Sequence, residues 1–193
     1  PIVFVVQTFD EVAMKIKLIP LAVCLGVSLT AHAADFALTS RDIADNRSLT
    51  RREVFNGFGC EGGNISPELS WRHAPEGTKS FAVTVYDPDA PTGSGWWHWT
   101  VFNLTASTHG LPSGAGAHLP VGAVQGRTDY GQPGFGGVCP PVGDKPHHYQ
   151  FTVWALKVEK LPLDEQASGA LVGYMLNANV LGKATITPTY ARH

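Results

Sequence analysis

Two aspartates, two histidines and a tyrosine, drawn from distant parts of the sequence, have side chains suited to holding a small anion. Asp87 and Asp89 lie in YDPDAP, His98 lies in WWHWTVFN, and His147 and Tyr149 lie in HHYQF. Imidazole and phenol groups donate hydrogen bonds, and a nearby carboxylate orients an imidazole and favours its protonated form. Tryptophan side chains exclude water and strengthen such contacts. Together these residues suit an anionic group, such as phosphate, attached to something apolar.

Three stretches of strand character must position these side chains. KSFAVTVYD alternates between two faces, WWHWTVFNL follows it as the next strand, and HHYQFTVWALKV has strong strand composition. Strand alternation turns His147 and Tyr149 to one face and His148 to the other. If the strands are neighbours, Asp87, His98, His147 and Tyr149 converge at one rim of a sheet.

The remaining segments predict a mainly β protein with one or two peripheral helices. DFALTS is typical of an edge strand and ATITPTY of a closing strand. SGALVGYMLNANVLG predicts a helix that begins at Ser168 and stops at Gly182, with an apolar stripe of Leu171, Val172, Met175 and Leu176. Residues 104–146 are rich in turn formers, and so long a loop region in a small domain is usually functional.

The N-terminal part of the sequence predicts export. Residues 14–33 contain two lysines, the apolar run LIPLAVCLGVSL and the small-residue sequence AHA, which is typical of a cleaved signal peptide. The run is too short to span a membrane. Residues 1–13 precede Met14, where the signal-peptide pattern begins. Cleavage after Ala33 would leave a domain of residues 34–193, which we expect in the periplasm or secreted. The formal net charge of −2 and the lack of a basic run argue against nucleic-acid binding.

The number of cysteines is also consistent with an exported protein. Of the three, Cys24 lies in the predicted signal peptide, which leaves Cys60 and Cys139. An even pair in an exported chain predicts a disulfide bond, and the alternative is two buried free thiols.

Four blocks, SPELSW, YDPDAP, WHWTVFN and HHYQFTVWAL, resemble in sequence and order the signature blocks of phosphatidylethanolamine-binding proteins, also called Raf-kinase-inhibitor-like proteins. The chain is most similar to the bacterial YbhB/YbcL branch, in particular its exported type. The resemblance implies an antiparallel β-sandwich with an anion pocket at one end. It assigns to that pocket Asp87, Asp89, Pro91, His98, Pro141, His147 and Tyr149. Trp97 and His148 depart from the animal members, and kinase inhibition does not transfer.

The leading hypothesis is therefore a ligand-binding or regulatory protein that is not an enzyme and needs no cofactor or metal. We expect His98 and His147 to donate hydrogen bonds to a bound phosphate, with Tyr149 as a third donor and Asp87 orienting one imidazole. One alternative is a metal- or histidine-dependent hydrolase, although no zinc-binding spacing occurs. Another is an inhibitor of a protein partner that acts through residues 104–146. The sequence does not determine the oligomeric state, and a homodimer is possible.

Overall fold

The computed structural model describes residues 34–193; the predicted signal peptide 14–33 and residues 1–13 lie outside them. The strands are β1 (Ala37–Thr39), β2 (Asn56–Gly57), β3 (Cys60–Glu61), β4 (Leu69–Arg72), β5 (Ser80–Asp87), β6 (Trp96–Thr105), β7 (Gly110–Leu111), β8 (Val124–Gln125), β9 (His147–His148), β10 (Gln150–Leu156), β11 (Val180–Ile186) and β12 (Thr189–Tyr190). Helix α1 spans Gly169–Asn179. In the described part of the chain, no helix is long and apolar enough to cross a membrane.

Two antiparallel sheets enclose the main core, as the sequence predicts for a mainly β fold. One has five strands in the order β11-β10-β5-β6-β8, and the other has three in the order β1-β4-β7. The alternation of β5 is the reason they pack: Phe81, Val83 and Val85 enter the core between the sheets. Asp87 pairs with Trp96 in the β5–β6 register, so the end of β5 and the start of β6 share one rim.

A second core lies on the other face of the five-stranded sheet, beneath α1. It contains Phe102 and Leu156 from the sheet and Val172 and Leu176 from the helix. The predicted stripe is therefore only partly right, since Leu171 is 45% exposed. In its place, two glycines on the buried side let the helix lie close against the indole of Trp97.

The start of α1 is confirmed and its predicted end is wrong. The Ser168 side chain accepts a hydrogen bond from the Leu171 amide and caps the helix. The helix ends at Asn179, and Gly182 lies inside β11, opposite Ala155 of β10. Strand pairing overrides the local stop signal. The glycine is used for close packing, because a Cβ atom there would lie 2.8 Å from Cγ of Pro75.

The HHYQF segment is divided between two sheets. His147 and His148 form β9, which pairs with β12, whereas β10 begins at Gln150 in the five-stranded sheet. Tyr149 lies at the break, where its amide donates to the carbonyl of Pro188. The predicted closing strand is also divided, into β11 and β12, since proline cannot donate to a sheet.

The predicted disulfide is confirmed. Cys60 in β3 is bonded to Cys139 in the loop that leads to β9. The bond attaches this loop to the segment that follows β2.

Candidate functional site

A cavity of about 260 Å³ lies at the rim where β5 ends, β6 begins and β9 passes. All of the residues predicted to bind a ligand, except Asp89, line it: Asp87, Pro91, His98, Pro141, His147 and Tyr149. The shared rim of β5 and β6 brings Asp87 and His98 together, and β9 adds the other imidazole from about fifty residues further along the chain.

Asp87 and His147 form a buried carboxylate–imidazole pair in the cavity wall. Nδ1 of His147 donates to Oδ2 of Asp87 over 2.7 Å, and both side chains are at most 5% exposed. The other carboxylate oxygen of Asp87 accepts from the amide of Asp89 at 2.8 Å. This contact is the local turn that an aspartate before proline commonly makes. On its other side, Nε2 of His147 lies 3.4 Å from the Asp144 carboxylate.

His98 is held through one ring nitrogen only. Its Nδ1 lies 2.8 Å from the carbonyl oxygen of Gly136 and 3.1 Å from that of Gly137. Carbonyl oxygens only accept, so Nδ1 carries the proton. The residue is 2% exposed. Burial lowers the pKa of the His98 imidazole, and the two carbonyls and the nearby Asp87 and Asp129 carboxylates oppose that shift without cancelling it.

Three residues of the cavity wall have buried polar atoms that find no hydrogen-bond partner among the described residues. These atoms are Nε2 of His98, Oη of Tyr149 and Nε1 of Trp96. Burial raises the pKa of the Tyr149 phenol, so its hydroxyl keeps its proton. An unpaired buried polar group costs about 1–3 kcal/mol, and several such groups around one cavity indicate a place for a ligand.

The sequence prediction missed several residues of this site, among them Phe58, Trp96 and Tyr130 in the cavity wall and Asp144 beside His147. Tyr130 stacks on Phe55 with ring centroids 4.0 Å apart, and its hydroxyl donates to the carbonyl of Gly137. It reaches the wall only because the long loop folds back, which the sequence does not show. The proximity of Asp144 to His147 could have been predicted, because the two residues are only three positions apart in the sequence.

Asp89 lies beside the cavity and faces away from it. Its Oδ2 accepts from both the backbone amide and Nδ1 of His148, each at 2.8 Å. Both side chains are about half exposed. Thus His148 points out of the cavity while His147 points into it.

The family model described as phosphatidylethanolamine-binding protein matches residues 39–191. The chain belongs to the phosphatidylethanolamine-binding protein family. It is 64% identical over 168 residues to the UPF0098 protein YbcL of Escherichia coli K12, covering 85% of this chain and 92% of that protein. The corresponding protein YbhB of the same organism is 52% identical over 157 residues, covering 80% and 99%.

Solved structures of the family have the same fold. The crystal structure of E. coli YbcL, described as a new member of the mammalian PEBP family, has a TM-score of 0.82 and 65% identity, covering 83% of this chain and all of that one. A putative family homolog from Chlamydia trachomatis has a TM-score of 0.69 and 30% identity, covering 82% and 98%. The resemblance inferred from the four sequence blocks is confirmed.

Two features bear on the alternative hypotheses for this family member. Within residues 34–193, no cluster of three or more histidine, cysteine or acidic side chains is arranged to hold a metal ion. Within the 104–146 region, Phe135 is buried in the core, and Tyr130 and Cys139 line the cavity.

Proposed function

We propose that this member of the phosphatidylethanolamine-binding protein family binds a small phosphate-bearing anion in the cavity, without catalysis, and has a regulatory or inhibitory role. The observation that carries the proposal is the set of buried, partnerless polar atoms on His98, Tyr149 and Trp96. The three residues line the same cavity, and two of these atoms, the phenol oxygen and the indole nitrogen, are hydrogen-bond donors with no acceptor among the described residues.

Both imidazoles would donate to the anion from Nε2, because Nδ1 of each already donates within the protein. His98 already donates from Nδ1 to carbonyl oxygens, so it donates to an anion only after a second proton arrives at Nε2. Nδ1 of His147 likewise donates to Asp87, and its Nε2 lies 3.4 Å from the Asp144 carboxylate. Anion binding is therefore coupled to proton uptake, and affinity rises as the pH falls.

The wall around these polar groups favours a ligand with an apolar part. Phe58 is 68% exposed at the cavity, and Pro140 and Pro141 continue the same apolar surface. Such a surface accommodates the carbon portion of a phosphorylated headgroup. Export to the periplasm or the medium is part of the proposal, supported by the leader pattern in residues 14–33 and by the disulfide bond.

Titration calorimetry with inorganic phosphate at pH 5.5 tests the proposal. We expect saturable binding at one site per chain, weakened about tenfold by Tyr149→Phe, which removes only the unpartnered hydroxyl. Tyr174→Phe is the matched control, because Tyr174 is 72% exposed on α1. Absence of saturable binding, or equal affinity in the wild type and Tyr149→Phe, would remove the cavity as a phosphate site.

A further inference from the structure

The two sulfur atoms of the disulfide bond have opposite surroundings. Nη1 of Arg192 lies 3.2 Å from Sγ of Cys60 and also donates to the carbonyl oxygen of Gly59 at 2.8 Å. Sγ of Cys139, by contrast, lies 3.5 Å from the carbonyl oxygen of Phe58, and a second backbone carbonyl oxygen lies at 3.8 Å. One sulfur therefore faces a positive charge, and the other faces the negative ends of two carbonyl dipoles.

The charge of Arg192 has no carboxylate partner among residues 34–193, where the ion pairs join other side chains. Its Nε is buried and finds no hydrogen-bond acceptor in the same part of the chain. Backbone contacts hold the residue in place, because its carbonyl accepts from the amide of Gly143 at 3.0 Å beside a bridge to Val142. A thiolate released at Cys60 would thus become the counter-ion of a guanidinium that is already in position.

The two cysteines also differ in their access to solvent. Cys60 is 6% exposed, whereas Cys139 is partly buried and lines the cavity. In thiol–disulfide exchange the leaving sulfur departs as a thiolate, and it departs faster when that thiolate is stabilised. Charge and access therefore agree that Cys139 is the sulfur open to attack and that Cys60 is the leaving group.

We propose that the Cys60–Cys139 bond is a directional thiol-exchange site, at which a low-molecular-weight thiol becomes attached to Cys139 while Arg192 stabilises the thiolate released at Cys60. The incoming thiolate attacks Sγ of Cys139 and forms a new S–S bond. The old S–S bond breaks, its electron pair stays on Sγ of Cys60, and no other oxidant or reductant is consumed. The adduct lies on the loop that lines the cavity, so thiols alter the cavity wall. This inference does not depend on what the cavity binds.

Reaction of the folded, oxidised protein with glutathione locates the attack. After incubation in a glutathione buffer at neutral pH, N-ethylmaleimide blocks the released thiol, and peptide mass spectrometry identifies the cysteine that carries glutathione. The adduct on Cys139 should exceed the adduct on Cys60 about tenfold or more, because only departure of Cys60 places a charged sulfur beside Arg192. In concentrated urea the preference should disappear, because the unfolded chain does not hold the guanidinium beside Cys60.

Two substitutions of Arg192 separate its charge from its role in packing. Arg192→Gln removes the charge, and the ratio of Cys139 adduct to Cys60 adduct should fall about tenfold, whereas Arg192→Lys keeps the charge and should lose much less. Arg72→Gln is the matched control, because Arg72 is an exposed arginine of β4, and this variant should keep the wild-type ratio. A purely structural role of Arg192 would change Tm without changing the ratio.

The position of glutathione in the wild-type protein decides the direction of exchange even if Arg192→Gln does not fold. An adduct mainly on Cys60, an equal mixture, or no adduct at all in the folded protein overturns the inference. An unchanged ratio in folded Arg192→Gln also overturns it, because the guanidinium would then not direct the exchange.

Discussion

Two aspartate–histidine pairs join the same two segments of this protein, and they lie in opposite environments. Asp87–His147 and Asp89–His148 have Nδ1–Oδ2 distances of 2.7 and 2.8 Å, so their geometry is nearly the same. The side chains of the first pair are 3% and 5% exposed, whereas those of the second are 41% and 51% exposed. The geometry of the two pairs is thus alike, and burial separates the pair in the cavity wall from the pair outside it.

Neither an aspartate nor a histidine in this segment pair can be assigned a role from its residue type alone. A buried pair has no water to replace a lost partner, while water substitutes readily at an exposed pair. We therefore expect substitutions in the two pairs to differ strongly in stability and in binding.

The largest difference is expected for Asp87→Ala against Asp89→Ala. Asp87→Ala leaves the buried His147 ring and the part-buried Asp89 amide without an acceptor. The buried ring costs about 1–3 kcal/mol and the partly solvated amide less, so the free energy of unfolding should fall by about 1–4 kcal/mol. Asp89→Ala should lower it by less than about 1 kcal/mol. Urea unfolding at pH 7 without ligand measures both, and equal losses would show that burial does not distinguish the pairs.

The disulfide bond holds the loop that lines the cavity beside the buried Asp87–His147 pair. Cys60 and Cys139 are separated by 79 residues, and Cys139 with Pro141 lines the cavity. Closing a loop of that size stabilises the fold by about 4 kcal/mol in the chain-entropy model. Cys60→Ser/Cys139→Ser should therefore lower Tm markedly and weaken phosphate binding. An unchanged Tm in a thermal melt of this variant would contradict the expectation.

The sequence predicts the parts of this architecture that depend on local periodicity. Alternation in KSFAVTVYD identifies β5, and the two-residue spacing of His147 and Tyr149 places both on the cavity side. The four family blocks add the other wall residues, which local patterns do not reveal.

The sequence does not predict features that depend on contacts with distant parts of the backbone. The tautomer of His98 depends on carbonyl oxygens of Gly136 and Gly137, which lie 38 and 39 residues away. The sequence therefore cannot predict which ring nitrogen of His98 faces these carbonyls. Likewise, nothing near Asp89 indicates that its carboxylate turns outward to His148.

The two histidines should also differ in their contribution to phosphate binding. His147→Ala should weaken inorganic phosphate binding about ten- to a hundredfold at pH 5.5, because a hydrogen bond to a charged group is worth about 1.5–3 kcal/mol. His148→Ala should change it by less than about twofold, since that ring lies outside the cavity. Calorimetry on both variants gives the ratio. Similar losses in the two would mean that strand alternation does not separate their functions.

The smallest expected effect concerns the exposed pair in acid. Partial burial raises the pKa of Asp89, but the hydrogen bonds and positive charge of His148, with a smaller contribution from His147, lower it by more, so the net pKa lies below the ordinary 3.8. A carboxyl whose pKa is depressed by folding stabilises the fold above its unfolded pKa and loses that contribution as the pH falls through the folded value. The difference in unfolding free energy between the wild type and Asp89→Asn should therefore be constant above about pH 5 and shrink below pH 3.8. Because the pair is exposed, the whole change should stay below about 1 kcal/mol. Urea unfolding of both proteins at pH 6, 4 and 2.5 measures it, and a difference that grows toward acid would reverse the sign assigned to Asp89.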